Sequence, residues 1–201
     1  MKFIILGCGS SMGVPRPDGF FGNCDPKNKK NFRTRCSALI KTKGENILID
    51  TSPDLRQQLL RHKIKKIDKV FYSHMHADQT HGINDLRSFF INSRKQIDIF
   101  ADNATSKYLT HSFSYCFKSY TNEYPATLRL NKINNKMYVK NYNKKISIKP
   151  ITVAINPPNP NTQKTSSDNF PCHQTKSKEI TDKIEKTIPP PFGRGDSCSV
   201  R

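Results

Sequence analysis

Nothing in this 201-residue chain approaches the ~20 consecutive apolar residues of a membrane span, so the sequence predicts a soluble protein. Its first apolar stretch, Phe3 to Leu6, runs into Gly7-Cys8 in the manner of a lipoprotein signal, yet it is shorter than the roughly 7–15 residues of a signal core. A first β-strand accounts for it better. Cysteine is sparse. The six residues, at positions 8, 24, 36, 116, 172 and 198, form no CxxC pair and lack the density of a disulfide-stapled secreted domain, which predicts reduced thiols in a cytoplasm. There is no internal repeat. The glycines of Gly7-Cys8-Gly9 and Gly13 miss the GxGxxG spacing, and Pro15 bars the helix that a dinucleotide loop requires. Acidic residues are scarce too: 16 Asp+Glu stand against 34 Lys+Arg, a formal net charge of +18. The excess belongs to the first 150 residues, with 27 basic against 11 acidic, whereas the last 51 hold 7 against 5. A field of that sign concentrates anionic partners, a phosphate-bearing substrate or a nucleic acid. A general bias toward Lys and Asn over the whole surface reads equally well.

The length suits one domain with a real core. Lys2 to Leu6 reads as a buried strand, and Ser10 to Arg35 as a polar loop without periodicity. Ser37 to Lys41 and Asn46 to Asp50 flank Lys43-Gly44-Glu45 as a hairpin. Ser52 is placed to cap a helix with Pro53 at its first position and Leu55, Leu59, Leu60 and Ile64 on one face. Ile67 to Ser73 returns as a strand, and a strand, helix, strand series implies a right-handed crossover with chemistry at the carboxyl end of the second strand. Further helices are predicted through Ile83, Leu86, Phe89 and Phe90, and from an Asn103 cap through Leu109, Phe113 and Phe117. Further strands are predicted at 97–101, 128–130, 137–139 and 146–153. Residues 1–153 thus read as the domain. Residues 154–201 read as a tail rich in Pro, Asn, Ser and Lys: seven of the 13 prolines fall in the last 51 residues, beside one helix-like piece from Glu179 to Ile188, a composition that predicts disorder.

At the end of the strand through Val70-Phe71-Tyr72 stands His74-Met75-His76-Ala77-Asp78. Period-2 spacing along extended backbone sends both imidazoles to one side, and Asp78 continues the series. Imidazole with carboxylate suits Zn, Mn or Fe. A catalytic ion takes three protein ligands and an open position, so two histidines show only part of a site. His81 lies three residues beyond Asp78, on the same face of any helix begun there, where a ligand role and a plain helix-start role stand level. Arg16, Lys27, Lys29, Lys30, Arg33 and Arg35 form a basic run in the loop, suited either to phosphate or to solvent. His62 reads as a partner of a helix C-terminal dipole, His111 as a packed or surface residue, and His173 as a remote third-ligand candidate.

This arrangement resembles the metallo-β-lactamase superfamily, whose signature is HxHxDH at a strand end. Gly7-Cys8-Gly9-Ser10-Ser11 with Gly13-Val14-Pro15, then Arg35-Cys36-Ser37, then Ile47-Leu48-Ile49-Asp50-Thr51-Ser52 look like the branch of phosphonate-pathway cyclic phosphodiesterases of the PhnP type. The resemblance covers about residues 1 to 100. It implies an α/β fold, the αββα sandwich, of which this chain shows the N-terminal half. It also implies one or two divalent ions, Zn or Mn, with His74, His76 and Asp78 as ligands. Asp78 would orient the water nucleophile, and Asp50 would fix a ligand by hydrogen bonding. Gln79 replaces the last His of the signature, and His81 would replace that missing ligand. PhnP-type enzymes can carry a cysteine cluster for structural zinc near Cys24, but one cysteine cannot build it. The family's later ligands have no recognisable counterpart after about residue 153.

Three functional expectations follow: a phosphodiesterase using metal-activated water, a truncated and inactive family member, and a basic nucleic-acid-binding protein without metal. Expected partners are a phosphodiester or other anionic substrate, or nucleic acid, and no membrane. A homodimer whose second chain completes the ligand set stays open.

Overall fold

The computed structural model describes residues 1–133, 137–141 and 144–148. Six strands form one mixed sheet in which spatial order equals sequence order: β1 (Lys2–Gly7), β2 (Ser37–Lys41), β3 (Asn46–Ile49), β4 (Lys69–Phe71), β5 (Ile97–Ala101) and β6 (Leu128–Lys132). The first three strands pair antiparallel and the last four parallel. The direction of each step follows from the connection. A tight turn closes β2 onto β3, with Thr42 Oγ1 accepting from the amides of Gly44 and Glu45. Each later step runs through helix, as parallel strands require. The helices are α1 (Leu55–Arg61), α2 (Ala77–Thr80), α3 (Arg87–Ser93), α4 (Asn103–Ser112) and α5 (Ser114–Phe117). A separate antiparallel pair joins β7 (Met137–Asn141) to β8 (Lys144–Ile148).

Alternation along the strands divides the sheet chemically. One face sends Leu6, Leu39, Leu48, Val70, Tyr72, Ile97, Ile99 and Leu128 into a core with helix residues such as Leu55, Leu59, Leu86, Phe89 and Leu109. Register aligns the other face in two rows. The first runs Phe3, Ile40, Ile47, Lys69, Asp98, Arg129, and the second Ile5, Ala38, Ile49, Phe71, Phe100, Asn131. Phe71 and Phe100 stack at 4.8 Å, Arg129 donates to Asp98 at 2.7 Å, and Phe3 and Ile5 remain 38% and 44% exposed.

Several predicted boundaries move, each for a local reason. Helix α1 starts at Leu55, not Pro53, and Ser52 Oγ accepts from the Asp54 amide in the turn before it. Asp54, at the N-cap, makes no side-chain cap because its carboxylate receives the backbone amide and the Nε–Nη2 edge of Arg35. Leu60 is 63% exposed: Leu55 and Leu59, one turn apart, take the buried stripe and leave Leu60 about 100° round the helix. Asp102, not Asn103, caps α4 by accepting from Thr105 N at 2.7 Å. The helix predicted through Phe117 breaks at Phe113, and the one from Ile83 opens as a 3-10 turn, Ile83–Leu86, before α3. Strand β4 is shorter than the predicted Ile67 to Ser73. The boundary at residue 153, the tail with its Glu179–Ile188 piece, and His173 lie outside the described residues.

The long loop is held by its ends. Val14 and Arg33 exchange backbone hydrogen bonds, Gly9 N donates to Thr34 O, and Arg35 clamps Asp54, whose carboxyl the guanidinium holds below the ordinary carboxylate range. Arg35→Ala should therefore destabilise the protein by about 2 kcal/mol, the scale of a partly buried charge-assisted hydrogen bond. It should also speed proteolytic cleavage between residues 10 and 34 relative to the rest of the chain. Unchanged cleavage there would show that the clamp does not hold the loop.

Candidate metal centre

Strand β4 stops at Phe71, and a segment bent at Ser73 and Met75 carries the chain to His76, the residue before α2. Both imidazoles do converge. His74 Nε2 lies 3.1 Å from His76 Nδ1, and with a carboxylate oxygen of Asp78 these ligand atoms fall within 4.8 Å of one another. His76 is exposed, and His74 and Asp78 are half-buried, so solvent reaches the group. A tetrahedral ion with bonds of roughly 2.0–2.1 Å to nitrogen holds two ligand atoms about 3.3 Å apart, close to the separation of the two ring nitrogens. The donor set therefore fits a divalent ion of the Zn or Mn kind.

Behind His74 runs a short relay. Asp50 follows β3 in the left-handed region (φ 59), which turns its carboxylate back under residue 73. It accepts from Ser73 N at 2.7 Å and from Ser73 Oγ at 2.8 Å. The single hydroxyl proton of Ser73 is thus committed to Asp50, so at the 2.9 Å contact with His74 Nδ1 the serine oxygen must accept. That puts the ring proton on Nδ1 and leaves a lone pair on Nε2, the atom facing His76. Burial pushes the Asp50 carboxyl up to about 6, against the lowering effect of the two Ser73 bonds.

Gln79, buried, turns its side-chain amide onto Asp78, donating from Nε2 to Oδ2 at 2.8 Å. The residue that replaces the last His of the signature thus orients the carboxylate beside it. Helix α2 itself is docked through backbone: Thr51 N donates to Gln79 O at 2.7 Å, Gly82 N to Thr51 O at 2.9 Å, and Thr51 Oγ1 bridges Thr80 O and Tyr72 Oη. At Gly82 a Cβ would stand 2.0 Å from Ser52 O, so only glycine fits this approach.

His81 stands outside the trio. Its Nε2 lies 3.2 Å from Tyr108 Oη, and its ring meets Phe113 edge-on at 5.8 Å. The basic run divides. Arg16 pairs with Asp18 and lies over the Phe20 ring, Arg35 is committed to Asp54, and Lys27, Lys29 and Lys30 are exposed. Arg35 and Cys36, at the end of the loop, sit close enough to Asp78 for their charges to interact. Neither the Gln79 donation nor the contact at Gly82 has a motif of its own, because both depend on how α2 meets β3.

Residues 45–176 match the family described as beta-lactamase superfamily domain. The chain is 37% identical over 128 residues to an octanoyltransferase of Porphyromonas gingivalis (strain ATCC BAA-308 / W83), a match covering 63% of this chain and 25% of that protein. A crystal structure of a diphosphatase from the PhnP family superposes with a TM-score of 0.57 at 30% identity, covering 71% of this chain and 54% of that one. Zinc-bound PqqB from Methylobacterium extorquens superposes with a TM-score of 0.50 at 19% identity, covering 70% and 52%, a likeness of fold alone. The chain thus spans a quarter of its curated relative and about half of each structural one. Among the described residues no helix is long and apolar enough to cross a membrane.

Proposed function

Because this chain belongs to the beta-lactamase superfamily domain family, we propose that it is a metal-dependent hydrolase of anionic esters, with a phosphodiester as the favoured substrate. The observation that carries the reading is the convergence of His74, His76 and Asp78 beside a β-strand end, open to solvent. His74 and His76 would hold a Zn or Mn ion, and Asp78 would turn toward that ion or a second one. A divalent ion at this place supplies Lewis-acid polarisation of a phosphoryl oxygen and brings the pKa of water near ~7. The chain supplies the rest. Asp78, aligned by the Gln79 amide, orients the attacking water and takes up its proton, and Asp50 acts through Ser73 to keep His74 Nε2 unprotonated. A net charge of +18 favours phosphate esters over neutral substrates, and the diphosphatase at 30% identity supports the same choice.

Hydrolysis of a chromogenic phosphodiester by the purified chain should fall to background after chelation and return on adding Zn or Mn. Turnover that ignores the chelator would sink the reading. Asp50→Asn makes a finer test, because a side-chain amide would donate to Ser73 Oγ and turn the relay around, moving the ring proton onto His74 Nε2. Metal affinity should fall about 10–100-fold, the usual cost of losing a partner behind a ligand. The metal-free protein should become less pH-dependent. With the folded Asp50 carboxyl near 6 and the ordinary value at 3.8, the wild type loses stability as pH rises from about 4 to 6, and the variant keeps it.

One observation favours a non-catalytic reading: among the described residues His74, His76 and Asp78 form the one group of three donors able to hold a metal, with Gln79 where the signature has histidine. One ion bound per chain, lost in His74→Ala, with no turnover of phosphodiester or diphosphate, would establish it.

A further inference from the structure

The two glycines of Gly7-Cys8-Gly9 each have a partner across the sheet: Gly7 is in register with Ser37, and Gly9 bridges Arg35. Cys8 and Cys36 lie between these pairs, the first antiparallel and the second parallel, and Cys36 Sγ reaches the carbonyl of Gly9, the residue after Cys8, at 3.2 Å. A disulfide needs Cα atoms roughly 4.4–6.8 Å apart, and two backbone pairings that bracket both cysteines hold their segments side by side. Both cysteines are reduced and exposed, and their charges interact. The sulfurs differ in surroundings. Cys8 Sγ receives Arg33 Nη1 at 3.8 Å, so an anion formed there meets a cation. Cys36 Sγ turns inward to donate to Gly9 O at 3.2 Å, and burial, with the neighbouring Cys8, Asp78 and Asp50, pushes its thiol up.

We propose that Cys8 and Cys36 form a paired oxidation site that closes to a disulfide when the protein meets a peroxide. The Cys8 thiolate attacks one peroxide oxygen, forming an S–O bond and breaking O–O; the other oxygen leaves and, on protonation, becomes water. Cys36 then attacks the Cys8 sulfur. The S–S bond forms, S–O breaks, and a second water departs with the Cys36 proton. Hydrogen peroxide is the oxidant and gains the two electrons that the thiols lose. Because Cys36 is held beside the Cys8-Gly9 segment, closure outruns further oxidation of Cys8 to the sulfinic acid. The pair flanks the metal centre through Asp78 but does not depend on what that centre does.

The full chain, stripped of metal, would be treated with hydrogen peroxide, alkylated, and digested without reductant. A linked peptide joining Cys8 to Cys36 is expected, dispersed by dithiothreitol. In Cys36→Ser, Cys8 should stop at the sulfenic acid and be trapped by dimedone. In Cys8→Ser, Cys36 should stay alkylatable at the same peroxide dose. Full alkylation of both thiols in the treated wild type would overturn the proposal, as would equal cross-linking of Cys8 to another cysteine in wild type and Cys36→Ser.

Discussion

His76→Ala should lower metal-supported phosphodiester hydrolysis by about a thousandfold or more while leaving the metal-free fold intact. Loss of an ion's charge stabilisation is worth several kcal/mol, and about 4 kcal/mol corresponds to three orders of magnitude. The separation of activity from stability makes the result diagnostic. His76 is exposed, makes no side-chain cap to α2, and its one ring partner is His74, so its removal should shift metal-free stability by no more than about 0.5 kcal/mol. Calorimetry of metal binding, thermal melts of the chelated protein, and initial rates would be read side by side. Activity surviving the substitution would remove the two-histidine centre from the mechanism.

Gly82→Ala carries the opposite signature. An added Cβ would stand 2.0 Å from Ser52 O and 2.9 Å from Leu55 Cβ, and the first of these is backbone that cannot swing away. Relief requires the segment after α2 to lift from residues 51 and 52, breaking the Gly82 N to Thr51 O bond and loosening the Thr51 bridge to Thr80 and Tyr72. The expected cost is about 3 kcal/mol, the upper part of the range for overpacking. Since Asp78 and Gln79 ride on α2, metal affinity should fall together with the melting temperature. A variant within about 0.5 kcal/mol of wild type would show that α2 is not seated as described.

The convergence of His74, His76 and Asp78 was legible because the three residues are local. They occupy five consecutive positions, and the two rings meet although the backbone bends at Met75 between them. Asp50 was legible for another reason: the Ile49-Asp50-Thr51-Ser52 motif resembles a known family. Gln79 shows where such reading stops. Its identity marks a departure from the signature, but its donation to Asp78 depends on a rotamer set by burial between helix and sheet. The pairing of Cys8 with Cys36 was equally hidden. Residues 28 apart come side by side only because a bulge between Ile5 and Gly7 shifts the register by one and Gly9 then bridges Arg35. Leu60 was misread since periodicity admits a wide stripe while the sheet beneath α1 needs a narrow one. Asp102 and Asn103 are both good capping residue types, and Asp102 caps because its carboxylate reaches Thr105 N.

A sheet laid down in the order of its own sequence also has a history. Every ladder among β1 to β6 joins a strand to its immediate predecessor, so no early strand waits for a distant one to complete it. Everything that positions His74, His76 and Asp78, from Asp50 and Ser73 through Gln79 to Gly82, is already synthesised when β5 emerges to flank β4. On a ribosome adding roughly 5–20 residues per second, the cradle can close several seconds before residue 201 is joined. The nascent chain can thus assemble this group of side chains while later residues are still being added.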